Sequence, residues 1–419
     1  MSLKNLLTAG VFSLATVIGT MTAGAAASAA TVTLDFPSWQ AEEPGLGDWW
    51  KGVIKDFEEQ NPDVKINFYM IPFPNFIQQM TVRFAGNNAP DIVHLPTRNF
   101  AAFASQDWLM PIDDLLAKTD ILENWTPLQN DLKWDGHMQG VLLMGYGYVL
   151  FYNEKILKDA GVEVPTTPEA WMEAIKKTTD RDKGQFGIIA NTVEHPNFVV
   201  ELGTWVTGEK ASFFSADGDY AMTNPELIKV VDQFREAMTY APPGVTSETG
   251  RQLFIDGKGA FLRDGPFVWS TVQKAKEDIR PHLKMTRLPF PVVAGGTSNS
   301  LHMPAGLSDE KKAQVWKFIE LCASPKWQAQ YPVLASSPAP RKGSITEETI
   351  QKHPHLKVVQ DSANEAVSVF PTQEALMAGY NEYAKIYAQY AMKLVTSKTP
   401  SDKILADMQK ELQRAIPLK

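Results

Sequence analysis

Between Gly257 and Trp269 the chain reads GKGAFLRDGPFVW. Gly259-Ala260-Phe261-Leu262 is a short apolar strand. It breaks at Asp264-Gly265-Pro266 and presents two aromatics, Phe267 and Trp269, just past the break. In open α/β sheets, ligands bind outside the carboxyl ends of strands. An aromatic ring there offers a flat apolar face, and a carboxylate such as Asp264 accepts two hydroxyl hydrogen bonds well. The competing role is structural: both rings packed in a core, and Asp264 holding the turn.

The residue patterns of common catalytic centres are missing. The sequence contains no G-x-S-x-G elbow, no H-E-x-x-H, no P-loop and no G-x-G-x-x-G. Gly145-Tyr146-Gly147 runs on into a strand rather than a helix, so it does not cradle phosphate. Glu42-Glu43 and Asp113-Asp114 are adjacent acids. That is the pattern of solvated pairs rather than of the paired acids of a glycosidase. Tyr146, Tyr148 and Tyr152 fit the period of a strand, and no second ligand cluster accompanies them. No metal, no cofactor and no catalysis are therefore expected.

The elements that must position these residues alternate. Thr31 to Phe36 is a strand, Asp48 to Gln60 an amphipathic helix, Val64 to Tyr69 a strand, Pro74 to Ala85 a helix and Asp91 to Leu95 a buried strand. This βαβαβ order predicts α/β architecture with a parallel sheet covered by helices. Gly140 to Tyr152 reads as one strand with glycines marking a bend. Helices follow at Asn153 to Ala160, Pro168 to Thr179, Val199 to Trp205, Pro225 to Met238 and Ser247 to Ile255. Phe186 to Ala190 and Met285 to Phe290 are strands, Gly295-Gly296-Thr297 a loop, and Asn299 to Met303 a short strand. Helices at Lys311 to Ala323, Thr372 to Lys393 and Asp402 to Ala415 complete the pattern.

At 419 residues the chain favours two lobes over one core. A formal net charge of −8 argues against nucleic acid or an anionic membrane surface as a partner. Leu6 to Ala27 is uncharged and apolar and ends in Ala27-Ser28-Ala29, which predicts a cleaved secretory signal over residues 1–29 and a periplasmic mature protein. The single cysteine, Cys322, excludes an internal disulfide, so stability rests on the core.

Six phrases, in order, carry a resemblance. They are Ala89-Pro90-Asp91-Ile92-Val93, Leu150-Phe151-Tyr152-Asn153-Glu154, Pro165-Thr166-Thr167-Pro168-Glu169-Ala170-Trp171, Gly259-Ala260-Phe261, Leu288-Pro289-Phe290-Pro291 and Gly295-Gly296. Together they resemble the extracellular solute-binding proteins of bacterial ABC importers, in the carbohydrate-binding, maltose-binding-protein-like group. The resemblance implies a periplasmic-binding-protein-like fold: two α/β lobes, a hinge of three crossovers and a ligand cleft between them. The lobes are expected at residues 30–145 with 302–331, and at 146–301 with 332–419. Crossings are expected near Gly145 to Gly147, Ser298 to His302 and Tyr331 to Leu334.

That fold implies which loops meet. Trp39, Gln40 and Glu43 follow the first strand. His94, Thr97 and Arg98 follow the third, and Tyr146 and Tyr148 stand at the hinge. Asp264, Gly265, Phe267 and Trp269 form the fourth loop. Trp205 matches a family tryptophan, with ligand contact and core packing both open. Gly296 offers a backbone N–H free of a side chain. Arg341 resembles an arginine that some members direct into the cleft; its alternative is the surface. His94 is either a core histidine or a ligand contact. A sugar, with apolar C–H faces and a hydroxyl rim, suits this aromatic and polar supply. Arg98 and Arg341 are the nominated cations, so a neutral or singly charged sugar is preferred over a doubly charged phosphate. Polyols and charged sugar derivatives are the alternative ligands. The expected partners are this ligand and the membrane permease of an importer, with the protein itself a monomer. A chemoreceptor reading the same closed form fits the sequence equally well.

Overall fold

The computed structural model describes residues 32–195 and 197–418. The expected leader lies outside the described residues. Among the described residues, no helix is long and apolar enough to cross a membrane.

Among the described residues the strands form four sheets, two of four strands and two of two strands. In the first, Val32–Ser38 pairs parallel with Val64–Met70, in register from Val32 opposite Val64. The amphipathic helix Leu46–Gln60 joins them and buries Trp49, Trp50, Val53 and Phe57. The backbone N–H groups of Asp91 and Ile92 donate to the Asp35 carbonyl, which brings the third strand, Val93–Pro96, to the other side of the first. That strand pairs antiparallel with the later half of the long strand Val293–His302, and Val141–Gly147 pairs antiparallel with the same strand. The expected parallel order thus holds for the first pair, and the third strand lies in a separate sheet, antiparallel to Val293–His302.

The second sheet runs Leu283–Arg287, Val149–Asn153, Gly259–Asp264, Phe186–Ile189. The expected strand from Gly140 to Tyr152 is therefore two strands, Val141–Gly147 and Val149–Asn153, in different sheets. At Tyr148 the chain passes from one of these sheets to the other.

The strand Val293–His302 pairs with Val141–Gly147 along its length. Gly295-Gly296-Thr297 is part of it, not a loop. These residues face Gly147, Tyr146 and Gly145 across the ladder, and the register shifts between Thr297 and Asn299. Close approach explains the glycines: a Cβ on Gly295 would lie 2.2 Å from the Tyr146 carbonyl oxygen, and one on Gly147 would lie 2.3 Å from that of Ser362.

Helix boundaries follow local chemistry. Pro168–Thr178 starts where the Thr167 hydroxyl accepts from the Ala170 N–H at 3.2 Å, ahead of a first-turn proline. The expected helix from Thr372 to Lys393 is two, Glu374–Ala378 and Tyr380–Thr396, divided at Gly379. Pro325–Ala335 is a helix where a crossing was expected. The second lobe buries Trp171 stacked on Trp205, with centroids 5.1 Å apart, and sets Phe290 edge-on to both. Each such ring contributes about 1.5–3 kcal/mol by burial.

Candidate functional site

A cavity of about 80 Å³ opens where the loops after the first and third strands meet Tyr146, Tyr148 and the end of Gly259–Asp264. That space holds several water-sized groups. Trp39, Gln40, Glu43, Arg98, Tyr146, Tyr148, Asp264 and Phe267 of the expected residues line it.

Each is held by its own element. Trp39 is buried and stacks on His94, centroids 4.1 Å apart and nearly parallel. Gln40 accepts a hydrogen bond from the Trp50 indole at 2.9 Å, which fixes its amide. Tyr146 and Tyr148 stand edge to face at 5.5 Å, and Phe267 packs against Tyr146 at 5.8 Å. Burial raises both tyrosine hydroxyls, Tyr148 to about 12, so both remain neutral donors. Asp264 forms a two-pronged pair with Arg251, at 2.8 and 3.2 Å, and accepts from the Gly265 N–H at 2.7 Å. The guanidinium of Arg251 lies over Phe267 at 5.1 Å.

The structure places seven expected residues elsewhere. His94 is wholly buried beneath Trp39. Its Nδ1 bonds the Ser38 hydroxyl at 2.9 Å, and burial lowers its pKa to about 3, so it is a neutral core residue. Thr97 is buried against the Ser300 hydroxyl. Trp205 is core, as described above. Gly265 tucks between Phe267 and Tyr146, and Gly296 is spent on the strand ladder. Trp269 stacks on His355 at 5.1 Å outside the cavity. Arg341 pairs with Asp120 and lies over Trp125 at 5.8 Å. These partners occupy its planar fork, and Asp120 is held below the usual carboxylate range by their hydrogen bond. Arg341→Ala is therefore expected to leave ligand affinity unchanged. It should cost about 1 kcal/mol of stability, because Asp120 is largely exposed. Titration calorimetry and a melting curve check both.

The sequence reading missed the charged wall of the second lobe. Arg263 and Glu201 pair at 2.6 Å with side chains only 7% and 9% exposed. Glu201 also accepts from the Asn191 side-chain amide at 2.8 Å and its backbone N–H at 3.2 Å. The Asn191 oxygen accepts from Ser247, whose hydroxyl oxygen accepts from Asn197 at 2.9 Å. Arg263 lies over Tyr148 at 4.9 Å. A signal was present. Glu201 is the lone charge within FVVELGTWVTG, and Arg263 sits in an apolar strand. An ionised group in such a run needs a dedicated partner.

Glu43 faces this wall. Burial is the largest cause of its rise to about 7; Arg251 pulls it down, and Asp264 and Glu248 push it up. Glu248 itself is held down to about 2, chiefly by the His195 ring, whose Nε2 lies 3.6 Å from its carboxylate. The arrangement offers an aromatic floor and fixed donors and acceptors. It contains no nucleophile–base pair, and among the described residues no cluster of three metal-binding side chains occurs.

The fold has known counterparts. A solute-binding protein from Thermotoga lettingae bound with alpha-D-tagatose superposes with a TM-score of 0.82 over 93% of this chain and 100% of that one, at 17% identity. One from Agrobacterium radiobacter in complex with ribitol gives 0.80 over 93% and 100%, at 19% identity. The diacetylchitobiose binding protein of Streptomyces coelicolor is 24% identical over 69% of each chain. The family model for bacterial extracellular solute-binding protein matches residues 40–329, more than half of the sequence. The chain belongs to the bacterial extracellular solute-binding proteins.

Proposed function

We propose that this protein binds a sugar or sugar-like solute between its lobes and presents it, lobes closed, to the permease of an ABC importer. One observation carries the reading. Trp39, Tyr146, Tyr148 and Phe267 form an aromatic lining around hydrogen-bonding groups that are already fixed by partners of their own. Rings cover the C–H faces of a sugar, and fixed polar groups meet its hydroxyls without further ordering cost.

The segments at Tyr148 and within Val293–His302 are the proposed hinge, and the two lobes are the bodies that rotate. The lobe limits put forward are residues 30–145 with 302–331, and 146–301 with 332–419. The protein acts as a monomer outside the cytoplasmic membrane after removal of its leader, and it releases the solute chemically unchanged. Relatives whose names specify diacetylchitobiose, tagatose and ribitol support a polyhydroxylated ligand.

A thermal-shift screen of residues 30–419 against sugars, polyols and sugar acids tests this. A ligand at a hundred times its Kd adds about 2.7 kcal/mol to stability, so one polyhydroxylated class should raise the melting temperature by several degrees. A shift confined to amino acids or peptides overturns the ligand class. Recovery of a cleaved or oxidised sugar overturns the binding role.

A further inference from the structure

The three arginines of the cavity differ in what already satisfies them. Arg251 is held two-pronged by Asp264, and Arg263 by Glu201. Arg98 has neither an ion pair nor a hydrogen bond among the described residues. Its guanidinium is gripped between the rings of Phe73 and Phe370, 5.5 Å from each centroid. The turn that carries it is fixed on both sides, by Thr97 on Ser300 and by Asn99 on Asn381 at 2.9 Å. An arginine held between two rings keeps the edge of its plane, and the N–H groups along it, available. Arg98 is half-buried, lines the cavity and is prepared for an acceptor that the protein does not supply.

We infer that Arg98 binds a carboxylate of the ligand, so that the solute taken by this site is a sugar acid. This rests on the proposed function and narrows its ligand class. The charge distribution fixes the orientation. Glu43, Glu248 and Asp264 gather around Arg251, and an anion there meets like charge. The ligand's carboxylate therefore turns to Arg98, and its hydroxyls turn to the carboxylate-rich end. A guanidinium edge matches a carboxylate with two parallel hydrogen bonds. A phosphate dianion calls for a second free cation, and the other two arginines are already neutralised.

Titration calorimetry with matched pairs tests the inference: glucose and glucuronate, galactose and galacturonate, sorbitol and gluconate, with glucose 6-phosphate added. In at least one pair the acid should bind about tenfold or more tightly than its neutral partner. Arg98→Gln should bring that ratio within about twofold, and Arg98→Lys, which keeps the charge but not the fork, should leave an intermediate ratio. Unchanged melting of the unliganded variants shows that folding is intact; where Arg98→Gln does not fold, Arg98→Lys alone decides. Neutral members binding as tightly as the acids overturn the inference and leave the proposed function standing. So does an acid preference that survives Arg98→Gln. Tighter binding of glucose 6-phosphate overturns the choice of a carboxylate. No binding by any member, together with a blank thermal-shift screen, overturns both readings.

Discussion

Glu201→Met should lower stability by about 3–5 kcal/mol, the typical cost of stranding one member of a buried ion pair. The substitution leaves the Arg263 guanidinium almost wholly buried over Tyr148 without its carboxylate, and it removes the acceptor of two Asn191 hydrogen bonds. The loss should not stop at stability. Asn191, Ser247 and Asn197 are aligned in sequence from Glu201, and all three line the cavity. Ligand affinity should therefore fall with the pair. Arg263→Met should cost a similar amount, for the mirror reason. The double variant should recover most of the stability, because removing both charges replaces a desolvated pair by apolar volume. Guanidinium unfolding midpoints across the four proteins measure the coupling. Additive losses would mean that the pair is not coupled and that each charge is satisfied independently.

That pair also shows where the sequence was readable. Periodicity located the helices because their faces are buried on one side only, as in Leu46–Gln60 and Pro225–Met238. It failed at the proposed hinge. Gly295-Gly296-Thr297 has the composition of a loop, yet the contact that makes it strand comes from Gly145 to Gly147, about 150 residues earlier in the chain. The helix His355–Glu365 went unseen because its polar residues hide a face anchored by Leu356 and Val359. The candidate site was legible to the extent that it sits at strand ends and on the loops after them: Trp39, Glu43, Tyr146, Asp264 and Phe267 all reach the cavity. Trp205 and Arg341 were beyond sequence reasoning for the opposite reason. Whether a tryptophan or an arginine faces a cleft depends on partners such as Trp171 and Asp120, and these lie far away along the chain.

Raising the pH from 5.5 to 8.5 should cost the wild-type protein about 2–3 kcal/mol relative to Glu43→Gln, at the usual rate of roughly 1.4 kcal/mol for each unit of pKa difference. The Glu43 carboxyl titrates near 7 when folded, against an ordinary value of 4.5. Between those values the folded protein holds a proton that the unfolded chain has released. Stability therefore falls as pH rises through this window, and the whole deficit is present above pH 7. Glu248, whose pKa is depressed to about 2, acts below the window: its contribution is present above its ordinary value and is lost as pH falls toward 2. The two effects do not overlap, and Glu43→Gln isolates the upper one. Parallel pH profiles for the two proteins would show that Glu43 ionises freely in the folded state. The same proton bears on function. Glu43 belongs to the loop after the first strand, whereas Asp264 ends the strand Gly259–Asp264 and Glu248 and Arg251 lie on the helix Ser247–Ile255, which the proposed limits put in the other lobe. Burial against these groups is the largest cause of the raised Glu43 value, with Asp264 and Glu248 adding to it and Arg251 opposing it, and under the proposed hinge motion opening would hydrate Glu43 at less cost than unfolding does. Alkaline pH should therefore weaken ligand binding in the wild type before it unfolds the chain, and Glu43→Gln should hold its affinity across pH 7.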